Sequence, residues 1–487
     1  MHLEVRHSYT KIVGATDGEM SSIRKALTYK CPWAKFSQAY RTKRWDGTKA
    51  LLLRSRGQSY MPSGLLDEIL KIVPDAGIDD QRAYPYSTPP SLVPLMGAEY
   101  RPYQVDACNA LLAGRRGILW VPTAGGKTII MCGIIRTLNL PTLWLTREGR
   151  LADQSAENIR FHSALNTAVL QGMKKGAVLP DEPVVVAMVQ TVSRNLKRLG
   201  EWLQRFQLII SDECHACSSA SFYRILMACH APYRYGCSGT PLERSDENCL
   251  SLIAATGPVL YHATFEHVKD YLALPIVTMF LITSEQITLP WLDYKNEAMA
   301  GGASNAEAEA EATRRYWAEA YSIGVVNNEP RNKKVIELAL EGVVNRQPTL
   351  VFVSRIEHGK LLQNRLADKL GSENVDYLYG DVDGDVRERM WARLADGTLP
   401  VLVCGDKTGG EGIDVPEIKR IVVASGLKAP IIVKQRIGRS MRPKEDNSRP
   451  EVFDFLDQHS KMLARHSEER ISAYKEQGAE VQLGRNS

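Results

Sequence analysis

No run of about 18 uninterrupted apolar residues occurs anywhere in the chain, so no segment reads as a bilayer-spanning helix. The first residues, MHLEVRHSYTKIVG, lack the basic start and apolar core of a secretory leader. The expectation is a soluble protein of the cytoplasm. A paired-cysteine framework is also missing: nine cysteines, an odd number, are scattered through 487 residues, a pattern of reduced thiols. Nor is charge lopsided. The balance of 61 Lys+Arg against 56 Asp+Glu gives +5, which suits a polyanionic partner but also many enzymes of neutral ligands. What is present is 44% hydrophobic residues, enough in a chain of this length for roughly three domains with their own cores.

One cysteine cluster invites a metal reading. Cys214, His215, Cys217, Cys229, His230 and Cys237 fall close together, and Cys214-x-x-Cys217 has a ligand-like spacing. No second C-x-x-C follows, and Cys214 and His215 fall within another motif described below, so the reading is against zinc.

Along the chain, residues 1–90 alternate short strand-like and helix-like runs and predict a small α+β accessory domain. YPYSTPPSLVP (84–94) reads as a linker. From about residue 98, short buried runs (GILWV, TLWLT, VVVAMV, QLIIS, YRYGCSG) alternate with amphipathic stretches, the pattern of a parallel sheet covered by helices. A second such series (TLVFVS, VDYLYG, VLVCG, RIVVAS, PEVFDFL) starts near 332. The expected fold class is therefore α/β, with two tandem parallel-sheet domains at 98–283 and 331–458. Residues 284–330, with GGASNAEAEAEATRRYWAEAY, predict a helical insert or connector, and 459–487 a helical tail.

The stretch VPTAGGKTII (121–130) carries the first chemistry. A phosphate-cradling loop works because N–H groups at a helix N-terminus surround the phosphates while a lysine neutralises charge and a hydroxyl holds Mg²⁺. Val121 stands where the first glycine is usually written, but that position ends the strand and accepts a side chain. The glycine needed for close approach is Gly126, and Thr123, Ala124, Gly125, Lys127 and Thr128 complete the loop. About 85 residues beyond Lys127 comes LIISDECH, at the spacing expected for a carboxylate on a neighbouring strand. Asp212 is placed to hold Mg²⁺ and Glu213 to orient and deprotonate an attacking water. Two acids at a buried strand end are costly without a cation.

At DECH the chain resembles the superfamily 2 helicases and translocases, whose fold is a tandem of RecA-like domains. RPYQ (101–104) resembles the element in which Gln104, preceded by Arg101, reads adenine. LWLTR with LADQ is similar to motif Ia, and VQTV (189–192) to motif Ib. The resemblance implies nucleic-acid contacts at Thr146, Arg147, Gln190 and Thr191. SGTP (238–241) resembles motif III, in which Ser238 and Thr240 link hydrolysis to strand movement. LVFVSR (350–355) is similar to motif IV, implying contacts at Ser354 and Arg355. TGGEGIDVP (408–416) is similar to motif V, implying a nucleic-acid contact at Thr408 and nucleotide contacts at Gly412 and Asp414. QRIGRSMRP (435–443) matches motif VI, with Gln435, Arg439 and Arg442. An arginine at that point answers a physical need, because phosphoryl transfer spreads negative charge over the γ-phosphate oxygens. ATP and Mg²⁺ are the implied cofactors. Alternate closing and opening of two lobes around ATP would drive movement along a strand.

Within the superfamily the chain looks most like the UvsW-type helicases of large phages, through KRWDGTKALLLRSRGQSYMPSGLLDEI (43–69) and a compact motor. That likeness implies branched DNA (forks, Holliday junctions, R-loops) as substrate in recombination, repair and replication restart, and the host cytoplasm as location. Residues 30–56 hold eight Lys/Arg against one acid, interleaved with Trp33, Phe36, Tyr40 and Trp45. Lys43 and Arg44 are read as phosphate contacts, and Trp33 and Trp45 as core of the small domain. The chain is expected to act as a monomer on branched or duplex DNA, or an RNA–DNA hybrid. The rivals are an RNA helicase, the motor subunit of a restriction system, although no P-D-x(n)-E-x-K nuclease signature is present, and a non-catalytic nucleic-acid clamp.

Overall fold

The computed structural model describes the chain except residues 32, 33, 35, 36, 148, 175, 215–219, 243–248, 406–417, 428–440, 442–447 and 485–487. It divides into two compact units, Met1–His267 and Val268–Ser487. Among the described residues no helix is long and apolar enough to cross a membrane.

The first unit opens with an accessory module. Its strands are β1 (His2–Val5), β2 (Tyr9–Val13), β3 (Thr28–Lys30), β4 (Thr48–Ala50), β5 (Leu53–Ser55), β6 (Gln58–Pro62) and β7 (Gly77–Asp80). Five of them form a sheet in the order β5-β6-β2-β1-β7, and β3 pairs with β4. Period-two alternation buries Leu3, Val5, Thr10 and Ile12 on one face. The helix Asp17–Ala26 starts in a capping box between Thr16 and Glu19 and buries Ile23 in the same core. That core continues into Ala254 of the helix Cys249–Thr256. The approach there is backbone to backbone, since a Cβ on Gly64 would lie 2.1 Å from the Ile253 carbonyl oxygen.

The proline-rich run is pinned to the same unit: Tyr86 donates to the Leu138 carbonyl at 2.8 Å and Arg115 donates to the Ser87 carbonyl at 2.7 Å.

Seven parallel strands follow: β8 (Arg116–Trp120), β9 (Thr142–Thr146), β10 (Thr167–Leu170), β11 (Val184–Met188), β12 (Leu208–Asp212), β13 (Tyr233–Ser238) and β14 (Val259–His262). Their order is β10-β11-β9-β12-β13-β8-β14. The carboxyl ends of β8, β12 and β13 therefore lie side by side, where ligands of parallel α/β sheets bind.

The second unit repeats the architecture with β15 (Ile276–Ile282), β16 (Thr349–Val353), β17 (Val375–Leu378), β18 (Val401–Gly405), β19 (Arg420–Val423), β20 (Glu451–Asp457) and β21 (Glu480–Leu483). The order is β17-β18-β16-β19-β20-β15-β21, with every pairing parallel. The expected α/β class, two RecA-like parallel-sheet domains with a small N-terminal α+β region, is the observed one.

Two expected boundaries move. The sequence reading ended the first parallel-sheet domain at 283, but β15 pairs along its whole length with β20, so 268–283 belong to the second unit. The helices Trp291–Ala300 and Asn305–Tyr321, inside the expected insert, also belong to that unit. The expected helical tail is partly sheet: after the helix Lys461–Glu476, β21 adds to β15. The helix is locked by charge, because Arg470 donates to both oxygens of the fully buried Asp454 at 2.9 and 3.0 Å, and Tyr474 donates to the same carboxylate at 2.6 Å.

Candidate functional site

The loop between β8 and the helix Lys127–Leu138 forms the floor of the site. Val121 is fully buried and its N–H donates to the Ser238 carbonyl at 3.2 Å, so it extends the β8–β13 ladder, and a side chain there is accommodated. The loop then tightens: the Gly125 N–H donates to the Pro122 carbonyl at 3.0 Å. Ala124 and Gly126 adopt φ of +63° and +77°. In the left-handed region Ala124 carries strain of about 1–2 kcal/mol, while Gly126 carries none of the Cβ penalty. Gly126 is also required sterically, since a Cβ would lie 2.5 Å from Gln104 Nε2.

The helix Pro102–Gly114 braces this loop from behind. Gln104 is buried and its Oε1 accepts from the Arg101 N–H at 2.9 Å. Tyr103, which sequence reasoning passed over, donates its hydroxyl to the Gly125 carbonyl at 2.6 Å. Arg101 donates to the Tyr103 hydroxyl at 3.3 Å.

Asp212 is the last residue of β12, and Glu213 turns away from the strand at φ +48°. Lys127 Nζ lies 3.9 Å from Glu213 Oε1. Burial, then the neighbouring Glu213 charge, pushes Asp212 above the usual carboxylate range, with Lys127 pulling the other way. One lysine beside two carboxylates leaves room for a cation, and a carboxylate with the Thr128 hydroxyl on the same loop is a hard-oxygen donor set suited to Mg²⁺. Cys237 donates to Asp212 Oδ1 at 3.5 Å, a contact with no sequence signal of its own.

The segment after β13 touches both halves of this floor. Ser238, fully buried, donates to Glu213 Oε2 at 3.4 Å, and its own Oγ accepts from the Thr240 N–H at 3.2 Å. Gly239 packs on the loop closely enough that a Cβ would stand 3.2 Å from Thr123 Oγ1. Trp120 donates to the Gly239 carbonyl at 3.0 Å. Lys127, Asp212, Glu213, Ser238 and Thr240 thus occupy one edge of one sheet.

The sequence-predicted nucleic-acid positions divide by exposure. Arg147 and Gln190 are exposed after β9 and β11, but Thr146 and Thr191 are buried, and the Thr191 hydroxyl accepts from the Gly172 N–H at 2.9 Å. In the accessory module Lys43 and Arg44 are exposed. Trp45 packs against the module core and donates Nε1 to the Thr48 carbonyl at 2.6 Å. In the second unit Ser354 and Arg355 follow β16. Ser354 is hydrogen-bonded to the Tyr321 hydroxyl and donates to the Ser425 carbonyl at 3.3 Å. Arg355 is exposed and lies over the rings of Trp317 and Tyr321, at 6.0 and 5.7 Å from their centroids. Trp33, Phe36, His215, Thr408, Gly412, Asp414, Gln435, Arg439 and Arg442 lie outside the described residues.

Comparison with known proteins agrees with this arrangement. Residues 97–243 match the model of the type III restriction enzyme res subunit, and residues 331–444 match the helicase conserved C-terminal domain. The chain is 24% identical over 522 residues to the ATP-dependent DNA helicase uvsW of Enterobacteria phage T4, covering 96% of each chain. This chain belongs to the superfamily 2 helicases, among the relatives of UvsW. It is also 24% identical over 369 residues to the DNA 3'-5' translocase XPB2 of Sulfurisphaera tokodaii, covering 71% of this chain and 79% of that one. The DNA-bound type ISP restriction-modification enzyme LlaBIII superposes with a TM-score of 0.55 at 14% identity, over 84% of this chain and 33% of its own, a likeness of fold. The helicase is thus an enzyme that binds nucleic acid and uses ATP to unwind it.

Proposed function

We propose that this helicase unwinds branched DNA (forks, Holliday junctions and R-loops), with the hydrolysis site built on Lys127, Asp212 and Glu213. The observation that carries the catalytic half is the single-edge assembly of Lys127, Glu213 and Ser238. Lys127 and the N–H groups opening its helix bind and neutralise the triphosphate. Glu213 takes a proton from the attacking water, its carboxylate held in place by the Lys127 ammonium and the Ser238 hydroxyl. Asp212 and Thr128 would hold Mg²⁺, which when bound offsets phosphate charge. Gln435, Arg439 and Arg442 are assigned to the charge that develops on the γ-phosphate, and Gly412 and Asp414 are assigned to nucleotide contact. Arg101 and Gln104 are assigned to the adenine side of the loop that they brace.

For the substrate, the support is the span of the match. The alignment with UvsW covers 96% of the chain, and so takes in accessory module and tail as well as motor. Lys43 and Arg44 in that module, with Arg147, Gln190, Ser354, Arg355 and Thr408 in the motor, are assigned to the DNA backbone, which positions a strand without reading its sequence. The helicase is proposed to work as a monomer.

The test is ATPase and unwinding across forks, four-way junctions, R-loops, plain DNA duplex and RNA duplex. Net unwinding confined to branched DNA is expected. Equal unwinding of plain duplex, or a preference for RNA, would overturn the substrate assignment while leaving the hydrolysis site intact.

A further inference from the structure

The outward face of the accessory sheet meets the first α/β layer at a cavity of about 660 Å³, within the size range of small-ligand sites. Strand alternation builds its floor. With Leu3, Val5, Thr10 and Ile12 facing the core, Glu4, Tyr9 and Lys11 face outward, and register sets Tyr60 opposite Lys11 and Leu53 opposite Tyr60. The far wall is the His7–Ser8 turn between β1 and β2 and His230, which precedes β13. At the floor, Lys11 is paired to Glu4 at 3.1 Å and so is locally neutral.

The wall is not neutral. Behind Ser8 lies Arg234, 1% exposed, donating to the carbonyls of Leu226, Cys229 and Ala255 and to Ser8 Oγ at 3.4 Å. Beside it Arg116, 6% exposed, donates to the carbonyls of Thr256 and His7. Arg234 Nε and Arg116 Nη2 are buried without a hydrogen-bond partner, as is His7 Nδ1. Among the described residues neither guanidinium has a carboxylate partner; every partner of Arg234 and Arg116 is a carbonyl or hydroxyl oxygen. Burial disfavours the charge on both guanidinium groups, with Asp67 acting the other way on Arg116, and the charge they keep projects positive potential into the adjoining cavity. His7 senses it: burial first, then the charges of Arg234, Arg82 and Arg116, with His230, hold it at about 4. At the mouth, Arg6 adds a further exposed guanidinium that donates to Gln81 at 3.1 Å.

We propose that this cavity binds a nucleotide, its phosphate against Arg6 and the Arg234–Arg116 charge and its base against Tyr9 and Tyr60. Two phenol rings beside a cationic wall supply the two interactions a nucleotide offers, stacking and charge. The same chemistry is presented by a free mononucleotide and by the terminal nucleotide of a DNA strand. The site is separate from the P-loop, and neither assignment depends on the other.

The experiment uses the full chain carrying Lys127→Ala, so that nucleotide binding at the P-loop is weakened. Calorimetric titration compares dAMP, dTMP and inorganic phosphate, and fluorescence anisotropy compares a short single strand with and without a 5'-phosphate. Binding of dAMP about tenfold or more tighter than phosphate is expected, since stacking contributes that much. Arg6→Gln and Tyr60→Ala, both at half-buried or exposed positions that leave the core untouched, should each weaken binding by about fivefold or more. If the 5'-phosphate strengthens oligonucleotide binding and Arg6→Gln removes the difference, the occupant is a strand end; if only dAMP or dTMP responds to the variants, it is a free nucleotide. Three results would overturn the proposal: no binding of either nucleotide or oligonucleotide, phosphate binding as tightly as dAMP, or affinities indifferent to both substitutions.

Discussion

The Ser238 hydroxyl donates to Glu213 Oε2 at 3.4 Å, and this one bond joins the end of β13 to the residue that follows β12. Because Val121 also leans on the Ser238 carbonyl at 3.2 Å, the same residue reports on the phosphate loop and on the proposed base. Glu213→Gln keeps shape but removes the base, so hydrolysis should fall by at least about 100-fold while nucleotide binding persists. Ser238→Ala removes that link together with the acceptor of the Thr240 N–H, and leaves the base in place. ATP hydrolysis should stay within about tenfold of the parent while unwinding falls further, because the base remains but its orientation is no longer tied to β13. Phosphate release and strand separation, measured on one preparation, check both; equal losses in the two assays for Ser238→Ala would contradict the coupling role.

Opposite substitutions two residues apart in the phosphate loop should have opposite signs. Gly126→Ala places a Cβ at φ +77°, 2.5 Å from Gln104 Nε2. It should destabilise the first unit by about 1–2 kcal/mol and weaken nucleotide binding, with part of the stability returning when Gln104→Ala clears the space. Ala124→Gly relieves a non-glycine residue at φ +63° and should raise stability by up to about 1 kcal/mol. Urea unfolding of the variants supplies the comparison.

Where the sequence was legible and where it was not follows from what each residue does. The inner strands β8, β9, β11, β12 and β13 are buried along nearly their whole length and read as short, mostly apolar runs because both faces are covered, and the loops after β8, β12 and β13 carry residue types that only their chemistry explains. The outer strands are four residues long and half-exposed: β10 reads Thr-Ala-Val-Leu and β14 Val-Leu-Tyr-His, patterns any loop can show. β7, Gly-Ile-Asp-Asp, is exposed throughout and has no apolar signal. β15 was not assigned from the sequence, and its place in the second sheet rests on pairing with β20, which spans more of the chain than local pattern can register. The last helix was legible as a helix, but its anchoring was not: its buried face includes His466, Ser467 and Arg470, and Arg470 is held there by Asp454 from a distant strand. At the site, the braces from Tyr103 and Trp120 depend on tertiary approach to single carbonyls and leave no mark on spacing.

Arg355 offers a test of the nucleic-acid assignment that separates charge from packing. It is exposed, over the faces of Trp317 and Tyr321, at the end of β16. If its guanidinium meets a backbone phosphate, Arg355→Ala should weaken DNA binding uniformly across sequences and reduce the dependence of log affinity on log salt by about one. Trp317→Ala keeps the charge and removes the ring beneath it. A smaller loss with an unchanged salt slope is expected, and a slope that drops equally in both variants would show that Arg355 acts by holding Trp317 in place.

The final helix is the strongest case in which charge rather than apolar area holds an element. Arg470 and Asp454 are both essentially inaccessible to solvent, and Tyr474 donates to the same carboxylate at 2.6 Å. A second pair, Arg331 with Asp457 at 3.1 Å, uses the residue three further along the same strand, and Asp457 also lies 3.9 Å from Arg470. Breaking such a pair strands a charge in the interior, so Asp454→Ala should cost about 3–5 kcal/mol. Replacing both members, as Asp454→Leu with Arg470→Met, removes both of those charges but also takes Arg470 from Asp457, 3.9 Å away, and the acceptor from the Tyr474 hydroxyl, so it should recover part of that loss, which a denaturation series on parent, single and double variants measures directly. Cutting the chain after residue 458 removes Arg470, Tyr474 and β21 together. That truncation leaves Asp454 unpaired and one edge of β15 open, and it should yield a second unit that no longer unfolds cooperatively, whereas a dispensable appendage could be removed with no change in its transition.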